Sequence, residues 1–331
     1  MESVRARDEE FDDIVELFRA HDFALKERAW FDWKHLRNPF GVPHLYKLIA
    51  DGELAGTVGL LAQPFRLDGR ALTAVQAVDG LMGRAIRGKG LFNDVMAFVV
   101  DTAPDGIDGP RFGTGFASLP GSMKALENAG WQRLARFRVR KALLSTSSLR
   151  SLPGGAVLSR LLAPFWSLAR SLLFAGADRD LEVVEVTRFE VDLDRFQPAG
   201  RVCGGRSATF LNWRVFDNPR DEMRAFVLRR GGETVGYVVC KVQRKSWEVV
   251  EFRSALPGRG AAVAFLKHLH AHGLTESVDF WLLDGFLQRD RLPRGLLDRG
   301  ASGAMFVHGL AAAGLPDDPG AWAASYLDSD W

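Results

Sequence analysis

The chain has 331 residues, of which 47% are hydrophobic and 25% charged, and its formal net charge is +2. These values exclude a disordered chain and leave room for two globular domains. The near-neutral balance, without a Lys/Arg run, predicts no nucleic-acid partner. Cys203 and Cys240 form no metal-binding pattern and are expected to be buried free thiols. The charged start of the sequence is no signal peptide, so we expect a cytoplasmic protein.

Periodicity and turn residues predict the elements of the first half in the order β-α-α-β-β-β-α-β-α-β. Strands are expected at 3–7, 44–50, 54–63, 75–82, 111–117 and 131–143, and helices at 9–18, 27–36, 92–100 and 121–129. The pair Asp51-Gly52 predicts a hairpin turn, and Gly130 ends the last helix.

A helical segment at 156–175 follows. It is the most apolar part of the chain, but Arg160, Pro164 and Arg170 make a membrane span costly. We expect one or two amphipathic helices packed on the protein. Attachment to a membrane surface is the less favoured alternative, so no membrane is predicted among the partners.

The second half repeats the first. An offset of 180 residues pairs Trp33 with Trp213, and it pairs six further residues of the first half with identical or similar ones. These pairs are Lys34/Arg214, Asn38/Asn218, Pro39/Pro219, Tyr46/Phe226, Glu53/Glu233 and Gly56/Gly236. Further on, an offset of 170 pairs Gly115-Phe116 with Gly285-Phe286 and Gly130 with Gly300. We interpret this as a duplicated domain. The predicted units are 1–145, a helical linker at 146–180, and 181–331.

The strand at 75–82 leads into Arg87-Gly88-Lys89-Gly90 and then into a helix. Glycines let the backbone approach a ligand, and the free amides of a helix N-terminus attract anions, so this loop is a candidate phosphate site. In the second half a glycine pair surrounds Arg259, but the spacing differs, and the residues missing from the repeat are expected to be lost there. We therefore expect the first half alone to bind the anionic ligand.

The loop resembles the Arg/Gln-x-x-Gly-x-Gly/Ala pyrophosphate loop of the GNAT (GCN5-related) N-acetyltransferases. Arg87 and Gly90 match it, whereas Phe92 stands where Gly or Ala is usual. The phrases WFDWKHLRNPFG and FLNWRVFDNP resemble tandem GNAT acyltransferases of bacterial polysaccharide and amino-sugar gene clusters. The resemblance implies a mixed-sheet α/β fold of two tandem GNAT domains, the second one degenerate.

The resemblance also implies the ligand and its site. Acetyl-CoA or another short acyl-CoA would be the co-substrate, with no metal. It would be bound by the end of the fourth strand and by the loop, at Leu81, Met82, Arg87, Gly88, Lys89, Gly90, Leu91 and Phe92. The amides of Leu81 and Met82 would face the carbonyl oxygen of the thioester.

Candidate residues for proton transfer are chosen by their place in the predicted strands and helices and by the acid–base chemistry of their side chains. Asp79, an acidic residue in an apolar strand, is the candidate general base, with a salt-bridged strand end as the alternative. The tyrosine that serves many relatives as general acid is replaced by Leu126, which leaves water, Ser118 or Ser122, although these serines could instead cap a helix. His35 and His44 flank the loop that borders the acceptor site in the family and are candidates for substrate binding.

Other residues receive structural interpretations. Trp33 and Trp213 are expected in the core, and His268, His270 and His272 on a solvated helix face without a metal. Asp328 and Asp330 are expected at an exposed terminus.

The predicted function is transfer of an acetyl or short acyl group from acyl-CoA to a small-molecule primary amine. By resemblance, an amino sugar, nucleotide-linked or free, is the first choice. The alternatives are another amine (an aminoglycoside, a cysteinyl conjugate or a protein lysine) or a non-catalytic acyl-CoA-binding module.

Overall fold

The computed structural model describes most of the chain. It covers residues 2–22, 27–41, 44–84, 86–89, 94–95, 111–151, 155–244, 246–283 and 291–329. Gly90, Leu91, Phe92, most of the helix expected at 92–100, Gly285-Phe286 and Asp330 lie outside these residues.

Strands make up most of the described structure. They are β1 (Glu2–Arg5), β2 (His44–Ala50), β3 (Glu53–Leu67), β4 (Arg70–Met82), β5 (Arg111–Ala117), β6 (Gln132–Leu143), β7 (Leu181–Val186), β8 (Cys203–Gly204), β9 (Met223–Arg230), β10 (Glu233–Lys241), β11 (Ser246–Ser254), β12 (Ser277–Leu283) and β13 (Leu297–His308). The α-helices are α1 (Phe11–Arg19), α2 (Arg28–Phe31), α3 (Pro120–Asn128), α4 (Gly155–Leu162), α5 (Trp166–Leu173), α6 (Ala208–Leu211), α7 (Gly260–Ala271) and α8 (Leu310–Ala313).

The strand positions agree with the predictions to within a few residues, except at β3 and β4. These two strands run on to a hairpin at Asp68-Gly69, where both residues have positive φ. The strands predicted from the sequence, 54–63 and 75–82, do not include residues 64–74. The mixed α/β fold is confirmed.

The described strands form one continuous 13-stranded sheet. Its order is β1-β2-β3-β4-β5-β13-β6-β12-β11-β10-β9-β7, with β8 paired to β3. The last strand of the second half, β13, therefore lies between β5 and β6 of the first half. In the same way, β6 pairs with β12 of the second half. Each half thus contributes a strand to the sheet of the other. The domain bounds at 145 and 180 remain a prediction, because the sheet crosses them without interruption.

Trp33 and Trp213 join the halves in the core. Each lies on a π-helical turn, Asp32–Leu36 in the first half and Asn212–Phe216 in the second. The rings stack at 5.0 Å and 22°. Each indole N–H donates to the main-chain carbonyl of the other tryptophan, at 2.9 and 3.2 Å. Both side chains are buried, so the prediction that they lie in the core is confirmed.

Strand pairing corrects the later part of the repeat. Gly56 faces Met82 and Gly236 faces Ser254, so the fourth strands of the two halves correspond with an offset of 172. From the next strand on the offset is 165, since β6 at 132–143 corresponds to β13 at 297–308. The offset of 170 was wrong: Gly130 and Gly295 each lie two residues before a strand, β6 and β13, whereas Gly300 lies inside β13. The first loss falls in the β3–β4 hairpin, and the second falls between β4 and β5.

The cysteine prediction is confirmed: Cys203 and Cys240 are buried and free. In the described part of the chain no helix is long and apolar enough to cross a membrane.

Candidate functional site

A β-bulge in β4 shapes the site. Gly59 of β3 faces Val78 and Thr57 faces Leu81, so Asp79 and Gly80 both stand opposite Val58. Asp79 has φ of +50°, a left-handed conformation that costs a non-glycine residue energy. The bulge changes the direction of the strand where it holds this carboxylate, as bulges beside functional sites often do.

Asp79 is buried between two basic side chains. Nε2 of His35 lies 2.9 Å from Oδ2 of Asp79, and Nζ of Lys34 lies 2.9 Å from the same oxygen. The side chains are at most 1% exposed. His35 fits here because Gly59 has no side chain: a Cβ on Gly59 would lie 2.8 Å from Cε1 of His35. A buried carboxylate needs such partners, because burial without them would cost several kcal/mol.

A cavity of about 130 Å³ opens beside Asp79. β4 and β5 pair in parallel only as far as Ala77 and Gly115, and then diverge. The cavity fills this gap and is lined by Val58, Ala77, Val78, Asp79, Gly80, Gly115, Phe116, Ala117, Ser122 and Leu126. Most of its lining residues are apolar or glycine, Asp79 and Ser122 supply one carboxylate and one hydroxyl, and polar and apolar atoms contribute about equally to its surface.

The amides at the end of β4 point to alternating sides of the strand. The amide of Gly83 donates to Ala55 of β3 at 2.8 Å. Because alternate residues share a direction, the amide of Leu81 also faces β3, whereas those of Met82 and Gly80 face the gap. Of the two predicted oxyanion donors, Met82 thus has its amide toward the gap and Leu81 has its amide toward β3. Gly80, which was not among the predicted donors, lines the cavity.

The loop predicted to bind phosphate lies directly after β4. The side chain of Arg87 donates to the carbonyl of Met82 from two nitrogens, at 3.3 and 3.2 Å. The amide of Arg87 is bonded to Gly83 at 3.0 Å and so is not available to a ligand in this conformation. Gly88 has φ of +80°, which explains the glycine, and it is exposed together with Arg87 and Lys89. The loop therefore offers two exposed cations at the carboxyl end of β4.

The structure does not bring together all the predicted proton-transfer and acceptor residues. Ser118 is exposed and does not line the cavity, whereas Ser122 does. Neither caps α3, whose N-cap is Leu119. His44 is buried near the hydroxyl of Tyr46, at 3.4 Å. It faces Leu60 and so lies on the opposite face of the sheet from His35.

Lys34, which contacts Asp79, is not among the site residues predicted from the sequence. The repeat already contained a signal, because Lys34 pairs with the cation Arg214, and both side chains are fully buried.

The second half contains the corresponding gap. β11 and β12 pair in parallel up to Val249 and Phe280, then diverge around a cavity of about 240 Å³. With the offset of 172, Glu251 occupies the position of Asp79. With the offset of 165, Arg291 occupies the position of Leu126, and both residues line their cavities. The strand geometry of the site is thus present twice.

The two carboxylates have different surroundings. Oε2 of Glu251 accepts from Arg206 at 2.8 Å and from the hydroxyl of Ser325, while Oε1 accepts from Arg253 at 2.6 Å and from Tyr237 at 3.3 Å. Burial alone would raise the pKa of Glu251, but the two guanidinium groups lower it to about 2. With four donors and a low pKa, this carboxylate is a poor proton acceptor.

Asp328 belongs to the same buried network. It is 1% exposed and ion-pairs with Arg206 at 2.8 Å, so its placement at an exposed terminus was wrong. A Cβ on Gly204 would collide with Oδ1 of Asp328, which explains why this position is a glycine. The network is structural, and it ties the tail of the chain to β11.

Residues 176–178 pack on the first residue of α7 in the second half. The amide of Asp178 donates to the carbonyl oxygen of Gly260 at 3.3 Å, and a Cβ on Gly260 would lie 3.3 Å from the carbonyl oxygen of Gly176. The start of this helix therefore has the chain itself as a neighbour, and Arg259 stands at the position of Arg87.

Among the described residues, no group of three or more His, Cys, Asp or Glu side chains could hold a metal ion. His268 and His270 lie on α7 and His272 follows it, with the rings of His268 and His272 4.3 Å apart.

No family model and no curated protein matches the sequence. Solved structures do match the fold. A conserved protein of Enterococcus faecalis, described as a probable N-acyltransferase, is 12% identical with a TM-score of 0.63, over 92% of this chain and 71% of that one. A tandem GNAT protein from the clavulanic acid biosynthesis pathway is 14% identical with a TM-score of 0.51, over 92% and 97%.

The N-myristoyltransferase of Saccharomyces cerevisiae, solved with bound myristoyl-CoA, is 10% identical with a TM-score of 0.53, over 93% of this chain and 82% of that one. At these identities the comparisons show the fold alone: the chain has the fold of GNAT proteins, including a tandem one.

Proposed function

We propose that the protein is an acyl-CoA-dependent N-acyltransferase whose first half carries the reaction. The observation that carries the proposal is the buried Asp79 on the wall of the cavity between the diverging strands β4 and β5. Neighbours with this fold include a probable N-acyltransferase and an enzyme solved with an acyl-CoA. An acyl-CoA would supply the activated thioester.

The chain's own groups fit the remaining chemistry. Arg87, Lys89 and the amides of Gly88 and Lys89 would bind the diphosphate, after Arg87 leaves the carbonyl of Met82. The acyl chain would enter the cavity, and the amides of Met82 and Gly80 would donate to the carbonyl oxygen as negative charge develops there.

Asp79, between Lys34 and His35, would accept a proton from the incoming ammonium group. The amine nitrogen then bonds to the carbonyl carbon, the C–S bond breaks, and the second proton that the nitrogen loses passes to the sulfur through water or Ser122. Ser118 would act only if its segment moved toward the cavity. His35, beside Asp79, is in a position to orient the amine through this carboxylate, whereas His44 lies on the other face.

For the acceptor we propose a small-molecule primary amine, with amino sugars as the first class to test, and the cytoplasm as the place of reaction. The alternatives are aminoglycosides, cysteinyl conjugates, protein lysines, and binding of acyl-CoA without transfer. Leu126 stands where many relatives have the general acid, so protonation of the thiol is expected to be slow. For this reason the test includes the alternative that the protein binds acyl-CoA without transferring the acyl group.

The test compares two equivalent arginines. Arg87→Glu should weaken CoA binding at least ~100-fold in titration calorimetry, because it replaces attraction to a diphosphate by repulsion. The matched variant Arg259→Glu should leave the affinity unchanged. Equal losses in both variants, or none in Arg87→Glu, would refute the assignment to the first half. Thiol release over the amine panel then separates enzyme from binding module: binding without release on any amine supports the latter.

A further inference from the structure

Five large apolar side chains of the linking helices point to solvent. Val157, Leu161, Phe165, Leu168 and Leu172 are 63–67% exposed. We call them the apolar stripe. Val157 and Leu161 are four residues apart on α4, and Leu168 and Leu172 are four residues apart on α5, so each pair lies on one side of its helix. The expectation that these helices bury their apolar face on the protein was therefore wrong for this side.

The C-terminal end of the segment is anchored. Leu173 and Phe174 pack against the core around α7, and the ring of Phe174 lies 5.6 Å from that of His270. The segment is thus attached to the protein at this end, while most residues from Arg160 to Leu172, including those of the stripe, are exposed. Soluble proteins seldom expose a continuous apolar surface of this kind without a partner for it.

Charge and area indicate which partner fits. From Gly155 to Leu173 there is no acidic residue, and exposed Arg160 lies beside the stripe. A second copy would bring a stripe with the same cation and no carboxylate to pair with it. Five side chains offer roughly 500 Å² on each partner, below the ~800 Å² of a standard stable interface. A bilayer needs only one apolar helix face and favours a basic margin.

We propose that the apolar stripe is a membrane-docking surface that inserts into the interface of an anionic lipid bilayer. Its side chains enter the boundary between headgroups and acyl chains, and Arg160 contacts the phosphates. The helices lie parallel to the membrane plane and do not cross it. This inference is independent of the proposed function.

The test is co-sedimentation of the full chain with vesicles of phosphatidylcholine, with and without about one third phosphatidylglycerol. The wild type should bind the anionic vesicles roughly fivefold better, the effect of one cation near the surface. Leu161→Ser/Phe165→Ser should reduce the partition coefficient at least ~10-fold, since two large apolar groups are lost. Val191→Ser, which removes an apolar side chain that is 57% exposed elsewhere, should change nothing.

Arg160→Glu should abolish the preference for anionic vesicles, whereas the exposed Arg299→Glu should keep it. Failure of the wild type to sediment with either vesicle, or undiminished binding of the double variant, would overturn the proposal. So would a concentration-dependent dimer in light scattering that the double variant loses, because the stripe would then belong to a second copy. Circular dichroism melting confirms that each variant is folded.

Discussion

The two halves build the same gap between diverging parallel strands, and they place an acid at the same position. In the first half the acid is Asp79, held by Lys34 and His35 on the wall of a cavity. In the second it is Glu251, saturated by two arginines, a serine and a tyrosine. The strand geometry alone therefore does not make a site. What differs is the kind of side chain around the carboxylate: a lysine and a histidine in the first half, and two arginines, a serine and a tyrosine in the second.

The surroundings of the two cavities differ in further ways. Residues 176–178 pack on the first residue of α7, and Arg291 replaces Leu126 in the second cavity. The tail residues Ser325 and Asp328 complete a buried ionic network there. The second half also supplies β13 to the sheet of the first.

The largest expected effect separates the two acids. Asp79→Asn should lower the rate of thiol release at least ~100-fold, because the amine loses its proton acceptor. Glu251→Gln should leave that rate within about twofold while lowering the free energy of unfolding by about 3–5 kcal/mol, since it breaks a buried ion pair. Both variants are checked by two measurements: the rate of thiol release below the melting temperature, and the free energy of unfolding in urea. An unchanged rate in Asp79→Asn would remove this residue from the reaction.

A second change fills the first cavity. Ser122→Trp should block the acyl chain and reduce thiol release at least ~10-fold, because an indole occupies most of the gap between β4 and β5. Lys124→Trp, at an exposed position of the same helix, is the matched control and should keep the wild-type rate. Full activity in Ser122→Trp would mean that the acyl chain lies elsewhere.

The third prediction concerns the junction of the halves. Trp33→Ala and Trp213→Ala should each lower the free energy of unfolding by about 3–5 kcal/mol, by leaving a cavity and unpairing a main-chain carbonyl. The double variant should cost less than the sum, because each single change already breaks the shared contact. Urea denaturation of the four proteins measures this coupling, and strict additivity would contradict the observed stacking.

The smallest expected effect is on pH dependence. The pKa of Glu251 is lowered from 4.5 to about 2, so its contribution to stability is complete above pH ~5 and is lost as pH falls toward 2. The wild type should therefore lose more stability over this range than Glu251→Gln. Parallel curves for the two proteins, from urea midpoints at each pH, would show that this carboxylate is not held as the structure places it.

The sequence by itself determined the elements that depend on local patterns: the helix at α3, the turn at Asp51-Gly52, the strands flanking it, and the equivalence of Trp33 and Trp213. It also placed Asp79 on an apolar strand, because an acid among Val and Ala residues stands out in any alternating pattern.

Only the tertiary structure decided the rest. The deciding contacts join residues far apart in the chain. They are the insertion of β13 between β5 and β6, the burial of Lys34 against Asp79, the burial of Asp328 against Arg206, and the packing of residues 176–178 on α7. No local periodicity encodes such contacts, because they depend on which surfaces meet after the strands have paired. The exposure of the apolar stripe was undecided for the same reason: an amphipathic pattern predicts that a helix has an apolar face, but not what that face will meet.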